Sequence, residues 1–128
     1  MENLSLKILS EAFEEGGNIP PKYTCDGENI NPPLEISDVP ENSKSLVLIM
    51  DDPDIPDFVK RSRGIEVFDH WVVFNIPPTV NKIKEDTEPE GIRGANSSGQ
   101  NEYTGPCPPD REHRYFFKVY ALNSKLNL

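Results

Sequence analysis

Apolar residues along this chain fall into short runs that are separated by prolines, glycines and asparagines. The three longest runs are rich in apolar residues on both faces and cover residues 45–50, 68–76 and 114–122. Such runs predict central strands that are buried on both sides. Residues 6–9 and 34–36 predict two shorter strands. Short strands punctuated by turns are typical of a Greek-key β-sandwich, so the predicted fold class is mainly β.

The rest of the chain carries little signal for regular structure. No amphipathic segment is longer than about two helical turns, and there is no internal repeat. The stretch from Lys82 to Thr104 predicts neither strand nor helix, and loops of this length tend to be functional or mobile. With 128 residues, the chain is predicted to be a single domain, 1–128, with a core of its own.

Charge and composition argue against some kinds of partner and location. The formal net charge of −9 argues against nucleic acid as a partner, because phosphate backbones attract Lys and Arg. No segment approaches the roughly 20 apolar residues of a membrane span. The first residues lack the basic and apolar regions of a signal peptide, so a cytoplasmic location is expected. The default for Cys25 and Cys107 is then two reduced thiols, with a disulfide between them left open.

Carboxylates and rigid prolines follow the first long run, in the segment Asp51-Asp52-Pro53-Asp54-Ile55-Pro56. Closely spaced carboxylates can bind a metal ion, orient a histidine or cap a turn. The prolines fix the backbone on either side of Asp54. The segment therefore predicts a rigid acidic turn at one end of the sheet.

A histidine lies inside the second long run. Strict alternation puts His70 on one face with Val72 and Phe74, and Asp69 with Trp71 on the other. His70 is then either a hydrogen-bonded core residue or an anion receptor whose pKa is raised by a nearby carboxylate.

The third long run is preceded by a proline-rich loop, Gly105-Pro106-Cys107-Pro108-Pro109. His113 and Tyr115 are two residues apart, so an imidazole and a phenol can point into one site. The backbone of Gly105 can approach a ligand closely. A cleft with proline walls and a few N–H, imidazole and hydroxyl donors suits a phosphate or carboxylate group.

In order and spacing, these segments resemble the phosphatidylethanolamine-binding protein family, and within it the bacterial and archaeal branch described as like the Raf kinase inhibitor protein. The resemblance runs from about Leu6 to the end of the chain. It implies the β-sandwich of that family, with the Ile55–Pro56 bond at the family's cis-proline position. It also implies a ligand pocket lined by Asp52, Asp54, Pro56, His70, Gly105, Cys107, Pro108, Pro109, His113 and Tyr115.

The family usually continues beyond a segment like residues 120–128 with a helix and a last strand. The chain is therefore expected to lack both, and the apolar surface left uncovered would favour a homodimer.

Three functions are compatible with these residues. The first is a non-enzymatic binding protein for a small phosphate, phosphoryl or carboxylate group, such as a phospholipid headgroup or a phosphorylated partner. The second is a regulator of a kinase or an inhibitor of a serine protease. The third is a hydrolase in which Asp52, His70 and His113 hold a metal ion or act as acid and base. We expect no catalytic residue, cofactor or metal, because no Ser or Cys nucleophile is evidently paired with a histidine.

Overall fold

Two antiparallel sheets enclose the core of this chain. The computed structural model describes residues 6–13, 19–25, 27–54, 57–64, 67–97, 99–105 and 115–126. That part of the chain contains seven strands, a 3₁₀ turn at Pro21–Tyr23 and one two-turn helix. The bounds of the strands and the helix are β1 (Lys7–Leu9), β2 (Leu34–Ser37), β3 (Ser45–Asp52), α1 (Asp57–Arg63), β4 (Phe68–Ile76), β5 (Lys82–Ile83), β6 (Ile92–Arg93) and β7 (Phe116–Leu122). The prediction of a mainly β fold is confirmed.

One sheet has the strand order β1-β2-β5 and the other has the order β6-β4-β3-β7. Two of the three long apolar runs, β3 and β4, are central strands as predicted. The prediction is wrong for the third run, because β7 lies at the edge of its sheet within the described residues. Lys118 and Tyr120 on β7 are accordingly exposed to solvent. An edge strand can carry a cation and a phenol on its outer face without the cost of burying them.

The core lies between the two sheets and is built from alternate residues of each strand. Its largest fully buried side chain is that of Trp71, which is 1% exposed. The Trp71 ring meets Tyr103 edge-on at a centroid distance of 5.4 Å. Its indole N–H donates to Glu88 Oε1 at 3.1 Å. The other buried members of the core are Leu34, Ile36, Leu46, Leu48, Met50, Val73, Ile76, Ile83, Tyr115 and Phe117. Each fully buried aliphatic or aromatic side chain contributes roughly 1.5–3 kcal/mol.

A β-bulge at His70 interrupts the pairing of β3 with β4. Met50 pairs with Trp71, whereas the next residue of β3, Asp51, pairs with Asp69. His70 is therefore an extra residue that has no Cα partner on β3. Since Met50 and Asp51 point to opposite faces, Trp71 points into the core and Asp69 points outward. The expectation from strict alternation that Asp69 shares a face with Trp71 is wrong, because a bulge shifts the register by one residue.

Cys25 is bonded in a disulfide, so the expectation of a reduced thiol is wrong at this position. The chain has one other cysteine, Cys107, which lies outside the described residues. Cys25 follows the 3₁₀ turn whose last residue, Tyr23, is buried against the core. The disulfide therefore anchors a loop that is already packed on the fold.

None of the helices in the described part of the chain is long and apolar enough to span a membrane.

Candidate functional site

The candidate site is built around His70, a polar residue that is buried, with 7% of its surface exposed. Its ring meets the ring of Tyr115 edge-on at a centroid distance of 5.8 Å. It also packs on Phe68 at 4.9 Å. Phe68 is paired across the sheet with Asp52, the last residue of β3. The structure thus puts the ring of His70 against that of Tyr115, and Asp52 lies across the sheet from Phe68, which His70 also touches.

The acidic turn after β3 has a defined geometry in the described residues. Asp52 is 3% exposed, and its Oδ1 accepts a hydrogen bond from the backbone N–H of Asp54 at 2.7 Å. This is an Asx-type turn, in which the side chain replaces a backbone acceptor. It holds the Asp52 carboxylate at the end of β3, on the same side of the strand as the core residue Met50.

The Nδ1 atom of His70 lies 2.9 Å from the carbonyl oxygen of Thr104. A carbonyl oxygen can only accept a hydrogen bond, so Nδ1 carries a hydrogen and donates it. In the neutral imidazole Nε2 then has a lone pair, and on protonation Nε2 gains a hydrogen and becomes a donor. The hydrogen bond made by Nδ1 therefore decides that Nε2 is an acceptor in the neutral ring and a donor in the protonated ring.

Gly105 is where two loops touch. Its N–H donates to Asn29 Oδ1 at 2.8 Å. A β-carbon at position 105 would collide with that oxygen and with the carbonyl oxygen of Tyr23. The same carbonyl accepts a hydrogen bond from the hydroxyl of Tyr103 at 2.8 Å. The close backbone approach predicted for Gly105 is thus made to a neighbouring loop.

The remaining predicted site residues lie outside the described residues. These are Pro56, Cys107, Pro108, Pro109 and His113, together with the Ile55–Pro56 bond that was expected to be cis. Their convergence on His70 stays a prediction. Within the described residues, no group of three or more His, Cys, Asp or Glu side chains is placed to hold a metal ion.

A second polar cluster lies on the opposite face of the same strands. Lys118 Nζ lies 2.8 Å from Asp51 Oδ2, and the side chain of Asp51 is 8% exposed. Asp51 Oδ1 is buried and has no hydrogen-bond partner among the described residues. Burial raises the pKa of the neighbouring Asp69, and the charge of Asp51 raises it further, whereas Lys118 lowers it. The hydrogen bond to Asp51 raises the pKa of Lys118. The charge balance of this cluster is therefore two carboxylates, Asp51 and Asp69, against one ammonium group, Lys118.

Replacing Asp69 with Asn is expected to raise the free energy of unfolding by about 0.5 kcal/mol at neutral pH, because like charges opposite each other on paired strands are destabilising. A carboxyl group whose pKa is raised in the folded state costs stability as pH rises through its titration, since the unfolded chain releases the proton first. The gain should therefore shrink as pH falls and vanish below the ordinary pKa of 3.8.

Urea unfolding of the parent chain and of the D69N variant from pH 3 to pH 7 measures this difference. The matched control is E102Q, which removes the charge of an exposed loop carboxylate. Its effect on the free energy of unfolding should be smaller than that of D69N, as for most substitutions at exposed positions. The stability difference between D69N and the parent is compared at neutral pH and at pH 3. If the substitution stabilises the protein less at neutral pH than at pH 3, the charge balance described above is wrong.

Sequence reasoning missed the groups that hold the site in place. Asn96 and Thr104 bond to His70, and Lys118 neutralises Asp51. An asparagine in a polar loop predicts only a turn, and a lysine in a strand predicts only a solvated face. Nothing in the periodicity of the chain indicates that these residues contact β4 or β3.

Comparison with known proteins is consistent across sequence and structure. A family model for phosphatidylethanolamine-binding protein matches residues 9–128. A UPF0098 protein of Chlamydia pneumoniae is 47% identical over 118 residues, which are 92% of this chain and 77% of that protein. A UPF0098 protein of Methanothermobacter thermautotrophicus is 46% identical over 129 residues, which cover 96% of this chain and 80% of that protein.

Two solved structures have the same fold. The crystal structure of a phosphatidylethanolamine-binding protein homolog from Chlamydia trachomatis, CT736, gives a TM-score of 0.88 at 43% identity, covering 95% of this chain and 78% of that one. YbcL of Escherichia coli gives a TM-score of 0.82 at 32% identity, covering 96% of this chain and 80% of that one. The chain therefore belongs to the phosphatidylethanolamine-binding protein family.

Proposed function

We propose that this protein binds a small anionic group of the phosphate or carboxylate type beside His70 and Tyr115, and that it is not a turnover enzyme. The observation that carries the proposal is the hydrogen bond from Nδ1 of His70 to the carbonyl oxygen of Thr104. This bond fixes the tautomer, so a protonated His70 gains its second N–H donor at Nε2. A buried imidazolium beside a phenol is a receptor for an anion.

A phenol and a carboxylate lie on the same side of the sheet as His70. The titratable groups on its side of the sheet include Tyr115, whose ring it touches, and Asp52, which lies opposite Phe68 at the end of β3. The imidazole and the phenol would supply hydrogens to the bound anion.

The relatives support the class of ligand. Phosphatidylethanolamine, after which the family is named, carries a phosphate in its headgroup. A phosphoryl group, either in a lipid headgroup or on a phosphorylated partner, has the charge and the acceptor oxygens that this arrangement suits. Kinase or serine protease regulation and homodimer formation remain predictions from the sequence. The cytoplasmic location also remains a prediction, and the disulfide at Cys25 argues for an oxidising compartment instead.

Inorganic phosphate is expected to bind more weakly as pH rises through the titration of His70, because the imidazole then loses its second donor. Replacing His70 with Ala should weaken binding at pH 5.5 by about 2 kcal/mol, which is roughly 30-fold in Kd. Isothermal titration calorimetry at pH 5.5 and pH 8 measures both effects. Inorganic phosphate changes its own charge between these two values of pH, so sulfate, which does not, serves as a second probe.

The H70N variant separates the roles of the two nitrogens. The asparagine amide can still donate to the carbonyl oxygen of Thr104, but it has no group in the position of Nε2. We expect H70N to lose as much affinity as the alanine variant. Equal binding of sulfate at both values of pH, or parent-like binding by H70N, would count against the proposal.

Catalysis is tested separately from binding. We expect the purified protein to hydrolyse phosphoesters, carboxylic esters and peptides no faster than background, since cleavage needs an activated nucleophile or a metal-bound water with a base in reach. Turnover of any of these substrates that is lost in the alanine variant at position 70 would replace the binding assignment with an enzymatic one.

A further inference from the structure

The loop between β6 and the proline-rich segment contains a buried asparagine that none of the predictions for the site includes. Asn96 is 6% exposed, although the residues around it are mostly exposed. Its side-chain oxygen accepts from the backbone N–H of Gln100 at 3.1 Å. The backbone N–H of Asn96 donates to the carbonyl oxygen of Gln100 at 2.8 Å. These two contacts tie Asn96 to Gln100.

The amide nitrogen of Asn96 points the other way, toward the site. Nδ2 donates to Thr104 Oγ1 at 2.9 Å and to the carbonyl oxygen of Glu102 at 3.0 Å. It also lies 3.3 Å from the carbonyl oxygen of His70. An amide nitrogen has two hydrogens, so the first two bonds are the main ones and the longest is shared. One buried side chain therefore joins the loop to the bulged residue of β4.

Thr104 is the residue through which this connection reaches the imidazole. Its backbone N–H donates to the carbonyl oxygen of His70 at 3.1 Å. Its own carbonyl oxygen accepts from Nδ1 of the same histidine at 2.9 Å. Both backbone groups of Thr104 are thus committed to His70, and the hydroxyl of Thr104 is held by Asn96. A shift of Thr104 would release the imidazole from the tautomer that the carbonyl imposes.

We propose that Asn96 is a positioning residue for His70: through Thr104 it fixes the orientation and the Nδ1–H tautomer of the imidazole, and so sets the affinity of the site for phosphate-type anions. The affinity part rests on the proposed function, whereas the tautomer part stands on the geometry alone. Asn96 need not touch the ligand. Its role is that of an outer residue that orients a binding group, and such residues affect affinity without contacting what is bound.

The N96D variant tests this with almost no change of shape. The carboxylate keeps an acceptor for Gln100, but it replaces a donor with an oxygen that faces the carbonyl and hydroxyl oxygens of three residues. Long-range ¹H–¹⁵N spectra of the imidazoles report the tautomer, and the chain has only two histidines to assign. We expect His70 to lose the pure Nδ1–H signature and the Kd for inorganic phosphate to rise about tenfold.

The matched control is N101D, the same change five residues along the same loop. Asn101 is exposed and donates one hydrogen bond, to the carbonyl oxygen of Arg93 at 3.2 Å. N101D should keep the parent tautomer and a Kd within about twofold of the parent value. A folded N96D variant with the parent tautomer would overturn the proposal, as would an N101D variant with the same losses.

If N96D does not fold, T104V decides the question. It removes the hydroxyl that Asn96 holds and leaves the backbone bonds to His70 possible. A mixed tautomer and a Kd raised about threefold would support the proposal, and a parent-like T104V would overturn it. If the parent chain binds no phosphate at all, the proposed function fails. The tautomers of the parent, N96D and T104V chains then still show whether Asn96 positions His70.

Discussion

Replacing Cys25 with Ser is expected to lower the free energy of unfolding by about 4 kcal/mol. Cys25 is bonded in a disulfide, and the other cysteine in the sequence is Cys107. A bond between them closes a loop of about 80 residues, so its removal restores much conformational entropy to the unfolded chain. Urea unfolding under non-reducing conditions measures the loss.

The C107S variant is the matched control for this prediction. If the two cysteines are partners, C107S should be destabilised as much as C25S, and the double variant should lose no more than either. Peptide mapping without reduction should recover one linked pair. The reducing agent dithiothreitol should lower the stability of the parent chain by the same amount. An additive loss in the double variant would show that the two side chains act independently.

Replacing Gly105 with Ala is expected to cost about 3 kcal/mol, because the added methyl group has no room. It would meet the carbonyl oxygen of Tyr23 and the side-chain oxygen of Asn29. A backbone oxygen cannot swing aside like the end of a side chain, so the two loops would have to separate. That movement would also break the hydrogen bond from the N–H of Gly105 to Asn29. Since Thr104 is the preceding residue, phosphate affinity should fall as well.

The G94A variant is the control for Gly105. A methyl group at position 94 would press on the side chain of Val72, which can adjust by a few tenths of an ångström. We expect a loss below about 1 kcal/mol and no change in affinity. If G105A is as stable as G94A in urea unfolding, the packing of residues 103–105 on the Tyr23 loop is not what the structure indicates.

The strands were predictable from the sequence because their apolar runs are dense. The run at 45–50 continues as β3 to Asp52, and the run at 68–76 matches β4 at both ends. The edge position of β7 was not predictable, because the apolar pattern of a strand does not show how many neighbours it has. The short strands β5 and β6 lie in a stretch with no apolar periodicity, and each forms only through pairing with a longer strand.

Residue type and family resemblance were enough to name residues of the candidate site, but not the contacts that hold them. Motif resemblance pointed to His70 and Tyr115, whose rings are in contact, and to Asp52, which pairs with the neighbouring Phe68. The bulge at His70 was not predictable, because one extra residue in a strand leaves no trace in a short apolar run. The hydrogen bonds from Asn96 and Thr104 depend on where a long loop folds back along the edge of β4. That path is set by tertiary packing rather than by local sequence.

Deletion of His70 would remove one of the two irregularities in the pairing of β4 with β3. Met50 would still pair with Trp71, and Asp51 would still pair with Asp69, since these pairs already flank the extra position. The inward and outward order of every other residue in the strand would be kept. The architecture thus carries the imidazole on an extra residue between two paired positions, and the pairing of the sheet does not depend on which residue stands there. In evolutionary terms, the residue at this position can change without the sheet having to be rebuilt.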